Sequence, residues 1–348
     1  MFIQPRLGFS LLVIFSCAAG TFARQNSPQA KPDNGKIYLD VVVTPKSGPH
    51  VDGLQQRDFT LLDNKVPQTI TSFQAVTGRE APIEAIVVID AVNINYEDMT
   101  YARQQVGNFV RAEGGRLAYP VAVAVFTDKS IQLVTDFSKD GNALSAALDS
   151  ANIGMRDINR STQYQASERL DISLQALSQL VTGEASRPGR KIIIWVSPGW
   201  PLLSGPRIEL SGKDVQALFA DIVHISTLLR QARVTLYSVN PIGSGVSNWW
   251  FYQQFIKGVS KPSQVDIADL GLPVLAIQSG GLALDYSNDI PGLLRQCLSD
   301  VAPYYEISFD SPPANRPDTY HHIEIKLAQP GLKARTREGY YAQPLPHN

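Results

Sequence analysis

The sequence predicts a doubly wound α/β fold, a mostly parallel sheet with helices on both faces, joined to a small β domain made from the N-terminal and C-terminal segments. Three observations predict it. Three continuous apolar runs, Ala85–Ile89, Val121–Phe126 and Ile192–Val196, read as strands covered on both faces, and Val234–Val239 reads as a further strand. The segments between them carry apolar residues at helical spacing, so strand and helix alternate. Outside this region, Ile37–Thr44 and the residues after Val301 are β-rich or alternate between apolar and polar.

Taken in order, the first 23 residues read as a secretory signal segment: Arg6 is its positive start, Leu7–Ala19 its apolar run, and small residues lead up to Ala23. That run is shorter than the ~20 residues that span a bilayer, so the expected location is extracytoplasmic, whether periplasmic, secreted or at the cell surface. Cys17 follows Ile14-Phe15-Ser16 in a loose lipobox pattern, which offers a possible lipid anchor; an ordinary signal-segment cysteine is the alternative. Residues 24–35 are polar and Pro-containing and read as a flexible leader. Residues 36–76 form an N-terminal β segment, with strand candidates at 58–62 and 68–73 around the turn Asp63-Asn64-Lys65. The α/β domain is expected over 82–302. Its helices are marked by Met99, Ala102, Val106 and Phe109; by Leu170, Leu174, Leu177 and Val181; by Val215, Leu218, Ile222, Ile225 and Leu229; and by a short helix over Leu272–Gln278. Ile131–Val134 is expected to pair back on Val121–Phe126. A last helix carries Cys297 on its apolar face, where the thiol is expected as a buried small hydrophobe. Residues 303–343 are a C-terminal β segment, expected half exposed and packed with 36–76.

Composition narrows the function. Of 348 residues, 44% are hydrophobic and 18% charged, which suits a packed core, and the net charge of −1 supplies no cationic surplus for nucleic acid.

In open α/β sheets ligands bind beyond the carboxyl ends of strands where the strand order reverses. If the first strand and Ile192–Val196 are neighbours, the loops that meet there are Asp90-Ala91-Val92-Asn93-Ile94-Asn95 and Ser197-Pro198-Gly199-Trp200. Asp90, Asn93 and Asn95 offer oxygen ligands to Mg²⁺ or Ca²⁺, and equally they suit helix capping and turns. Ser197 beside Gly199 raises an extracytoplasmic hydrolase, but no G-x-S-x-G elbow accompanies it and no histidine is placed as its base. Gly243-Ser244-Gly245 lacks the rest of a dinucleotide fingerprint. Trp249-Trp250-Phe251-Tyr252 lies in a long connection near the same edge, where aromatic residues suit a partner interface or pack on their own domain. Asn159-Arg160-Ser161 matches a glycosylation sequon by pattern alone.

The strand Val87-Val88-Ile89-Asp90, followed by a short polar loop and a helix, resembles the start of a von Willebrand factor A domain. That resemblance implies a Mg²⁺ site with a D-x-S-x-S motif plus a Thr and an Asp from later loops. Here Asp90 matches the first position, while Val92 and Ile94 stand at the two serine positions and offer no oxygen. Thr162 is a candidate for the threonine, and the loop after Val196 reads SPGWP without the later Asp. The chain also resembles the VWFA-related family described in acidobacteria. DFTLLDNKVPQTITSF (58–73), VVIDAVNINYEDMTYARQQVGNFV (87–110), GRKIIIWVSPGWPL (189–202), LAIQSGG (275–281), YYEISF (304–309) and KARTREGYYA (333–342) carry that likeness. It implies the fold and a degenerate metal site, and no general activity. The expected function is a non-enzymatic binding or adhesion-type module without a cofactor. It would engage a protein or cell-envelope partner through Asp90, Asn93, Asn95, Ser197, Trp200, Trp249, Trp250 and Tyr252. The alternatives are a Mg²⁺- or Ca²⁺-dependent adhesion domain using Asp90 and a hydrolase using Ser197.

Overall fold

The structure, a computed structural model, describes residues 35–46, 48–77, 83–151, 163–201, 211–243 and 249–344. The signal segment, Cys17, residues 24–34, the sequon at Asn159, Thr162 and the Trp249 side chain lie outside the described residues.

The N-terminal segment contributes β1 (Lys36–Pro45), β2 (Phe59–Asp63), β3 (Val66–Gln68) and β4 (Ser72–Val76). Asn64 and Lys65 take φ of 48° and 69°, the two left-handed positions of a tight hairpin that joins β2 to β3. The strand expected over 68–73 is instead two strands in different sheets. The chain turns away after Gln68, and Thr71 N donates to Ser308 O at 2.7 Å, which starts the β4 ladder with another strand.

The central region runs β5 (Glu84–Asp90), α1 (Tyr96–Gly115), β6 (Arg116–Phe126), β7 (Ile131–Leu133), β8 (Ser138–Asp140), α2 (Gly141–Ser150), α3 (Gln163–Glu184), β9 (Lys191–Val196), α4 (Gly212–Gln231), β10 (Val234–Val239), α5 (Trp249–Tyr252), α6 (Leu272–Gln278), β11 (Ala283–Leu284) and α7 (Ile290–Ser299). The strands join in the order β11-β10-β9-β5-β6-β7, with β8 also on β6. β5 lies parallel to both β6 and β9, and β7 returns antiparallel on β6. Residues of β5 alternate between two cores. Val87 and Ile89 pack with α1 and α7 residues such as Val106 and Leu294, and Ile86 and Val88 pack with α3 and α4 residues such as Leu177 and Ile222. A strand buried on both faces needs this continuous apolar run.

The C-terminal segment supplies β12 (Tyr304–Asp310), β13 (Thr319–Leu327), β14 (Leu332–Arg335) and β15 (Gly339–Ala342). Strands from the two ends of the chain form two four-stranded sheets, β14-β1-β12-β4 and β15-β13-β2-β3. They share a third core that includes Leu39, Phe59, Leu61, Tyr305, Ile307 and Phe309. β12 was expected half exposed and is not. It sits between β1 and β4, and only Glu306 and Asp310 escape full burial. Tyr304 and Val42 of β1 reach the core of the α/β sheet.

A polar cluster ties these strands to the α/β sheet. The Asp300 carboxylate, 3% exposed, meets His50 Nε2 at 2.7 Å, accepts from Tyr237 Oη at 2.7 Å and pairs with Arg335. Arg190 Nη1 donates to the Asp300 carbonyl at 2.6 Å. Arg233, in the turn between α4 and β10, pairs with Asp40 of β1 and, at 2.6 Å, with Glu306 of β12.

Candidate functional site

The order of the strands reverses between β5 and β9, so the crevice of this sheet opens beyond Asp90 and Val196. The two loops expected to meet do so there. Asp90 has no exposed surface. Its Oδ1 accepts from Val92 N and Asn93 N, both at 2.9 Å. Its Oδ2 accepts from Asn93 Nδ2 at 3.0 Å and from Trp195 Nε1 at 3.1 Å. A carboxylate has about four acceptor positions, and here protein donors fill them.

Most of the rest of the loop is engaged as well. Val92 and Ile94, in the two serine positions, are 4% and 1% exposed and pack into opposite cores. Asn93 Nδ2 also donates to Ser173 Oγ of α3 at 2.9 Å. Asn95 is exposed and caps α1, its Oδ1 accepting from Asp98 N at 2.8 Å.

These residues do not fit the divalent ion that the resemblance implies. Such an ion takes several oxygen ligands. Asn93 turns its amide nitrogen toward Asp90, and Asn95 is engaged at the helix start. Among the described residues no group of three His, Cys, Asp or Glu side chains could hold a metal.

The second loop is anchored within its own turn. Ser197 is fully buried, and its Oγ accepts from Gly199 N at 3.2 Å inside its own turn. His50, His321 and His322 are engaged elsewhere, with Asp300, with Asp63 and with the Glu338 carbonyl, and His224 lies on an exposed face of α4. No histidine among the described residues bonds to Ser197. Trp200, 3% exposed, meets Trp195 edge-on at 5.6 Å, and Trp195 meets Phe126 at 5.4 Å. Two polar atoms at this edge, Asn93 Oδ1 and Trp200 Nε1, are buried without a hydrogen-bond partner among the described residues.

The aromatic segment divides in two. Tyr252 is 5% exposed, and burial pushes its hydroxyl pKa well above the ordinary value. A Cβ placed on Gly199 would lie 3.9 Å from that hydroxyl, so α5 sits against the second loop. Trp250, two residues earlier, is 74% exposed. Of the residues expected to touch a partner, Asp90, Ser197, Trp200 and Tyr252 are therefore buried and shape the edge from beneath. Asn93, Asn95 and Trp250 reach its surface. Sequence reasoning missed Trp195 and Ser173. The signal for Trp195 was available: an indole N–H in a strand otherwise made of Ile and Val needs a buried acceptor.

A scan against protein-family models finds no match, and a search of curated proteins finds none. Solved structures with some likeness include proximal thread matrix protein 1 from the mussel byssus, at 13% identity and a TM-score of 0.39. That alignment covers 75% of this chain and 50% of the mussel protein, so the chain spans about half the length of that relative. The manganese-loaded Plasmodium vivax TRAP protein aligns at 12% identity over 78% of this chain and 98% of its own, with a TM-score of 0.35. The SpRpn10 VWA domain aligns at 12% identity over 64% and 95%, with a TM-score of 0.30.

Proposed function

We propose that this chain is an exported, non-enzymatic binding module of von Willebrand A type, with its terminal strands forming a companion β domain. It engages a protein or cell-envelope partner through the loop edge beyond β5, β9 and β10, and it does so without a bridging metal. The observation that carries the reading is the filled acceptor shell of Asp90. Where a metal-dependent site would leave the carboxylate open for an ion, this loop spends it on four protein donors and becomes rigid in doing so. Rigid loops lose little entropy on binding. The exposed Trp250 ring supplies the kind of aromatic anchor on which interfaces concentrate their energy.

Two measurements test this. The first is a thermal melt of the secreted form with EDTA, Mg²⁺, Ca²⁺ or Mn²⁺, repeated on Asp90→Ala. A ligand of the native state raises the midpoint, and the expected result is no shift with any cation. A rise lost in Asp90→Ala would replace this reading with a metal-dependent one. The second is retention on an immobilised cell-envelope preparation. It should persist in EDTA and fall about tenfold in Trp250→Ala, a loss of roughly 1.4 kcal/mol. Retention unchanged in the variant would remove the aromatic edge from the binding surface.

A further inference from the structure

A cavity of about 560 Å³ lies at the other end of the strands, where α1, α7, the start of β6 and the loop after β1 meet. Its size falls in the range of small-molecule sites, roughly 300–1,000 Å³. Much of its wall is apolar: Phe109, Leu117, Leu298 and Pro303 contribute to it. Apart from His50, which is engaged with Asp300, its ionic side chains are Arg116, Arg295 and Glu113, two cations against one acid. Arg295 approaches Asp289 at 3.8 Å, but both groups are half exposed or more, and such a pair is worth little. Among the described residues, the Arg116 guanidinium takes part in no hydrogen bond or ion pair.

We propose that this cavity binds a small amphipathic carboxylate, its apolar body between α1 and α7 and its carboxylate on Arg116. The surplus of one positive charge matches a singly charged head group, whereas a phosphate dianion would leave negative charge unbalanced. A guanidinium presents paired donors that suit a carboxylate. An unpaired arginine beside an apolar wall recognises both halves of such a molecule. The inference is independent of the loop-edge reading, because Arg116 opens β6 while Phe126 closes it beside Asp90.

Calorimetric titration of the full secreted chain with octanoate, octanamide and acetate tests the proposal, with Arg116→Gln and Ala118→Trp as variants. Both positions are exposed, and Ala118 lines the cavity. Circular dichroism and a melt establish that each variant is folded. Should Ala118→Trp not fold, Arg116→Gln and octanamide decide. Octanoate should bind at one site, and acetate should not bind. Octanamide to the native chain and octanoate to Arg116→Gln should each bind about tenfold more weakly, and Ala118→Trp should abolish binding. No heat with octanoate at about 1 mM, which means a Kd weaker than about 1 mM, overturns the proposal. So does equal affinity for octanamide, or undiminished binding in either folded variant.

Discussion

At the scale of single residues, two buried carboxyl groups differ in what surrounds them. Asp90 is held by four donors, so removing it strands the Trp195 indole N–H, two backbone N–H groups and the Asn93 amide. Asp90→Ala should lower unfolding stability by about 3 kcal/mol, because buried unpaired donors keep their desolvation cost. Urea unfolding measures this, and a loss under about 1 kcal/mol would mean that water fills the space. Asp269 lies in a short 3-10 turn at 2% exposure. Burial pushes its pKa up to about 7; the Asp266 charge adds to that and the Asp266 N–H opposes it. The folded state therefore holds this proton more tightly than the unfolded chain, and stability rises as pH falls from above 7 toward 4. Asp269→Asn keeps an acceptor for the Asp266 N–H without the charge. It should stabilise the protein on the order of 2 kcal/mol at pH 8.5 and lose most of that advantage by pH 4, as paired melts at the two pH values will show.

At the scale of elements, close backbone approach decides what a position tolerates. A Cβ on Gly281 would sit 1.8 Å from the Leu236 carbonyl oxygen, where the turn between α6 and β11 presses on β10. Gly281→Ala should therefore cost about 3 kcal/mol or more. Gly183 lies in α3 with open space around it, and Gly183→Ala should stabilise by about 0.5–1 kcal/mol through helix propensity. Denaturant melts of the pair test whether packing or propensity governs each site. Elements with a strong period were legible in the sequence. β5 and β9 follow their apolar runs, β10 falls where Val234–Val239 reads as a strand, and α6 keeps Pro273 in its first turn as expected. α2 escaped because Gly141–Ser150 is short and rich in small residues. β12 misled for a different reason: alternation reports the side chains of one strand, and its burial depends on β1 and β4, distant in sequence. The candidate site was legible in the same proportion. The two loops follow from strand order, while the Trp195 partner of Asp90 needed the fold to become visible.

At the scale of the whole molecule, strands from both chain ends are secured to the α/β sheet partly by charge. Burial raises the Asp300 pKa, but the His50 hydrogen bond, the Arg335 charge, the Tyr237 hydroxyl and Arg190 outweigh it and hold the group at about 2. These partners come from the loop after β1, from β14, from β10 and from the residue before β9, so one carboxylate joins segments that are remote in sequence. A folded pKa below the unfolded value of 3.8 means that the contribution is complete above pH 4 and lost as pH falls through about 2. Asp300→Asn should leave Arg335 without its charge partner and cost about 3 kcal/mol at pH 7. The deficit should shrink toward zero near pH 2, where the native carboxyl is also protonated. Urea unfolding of both proteins at pH 7, 4 and 2.5 measures the difference. A deficit that stays constant with pH would assign the coupling to packing around Tyr304 and Val42, which reach the α/β core from the same strands.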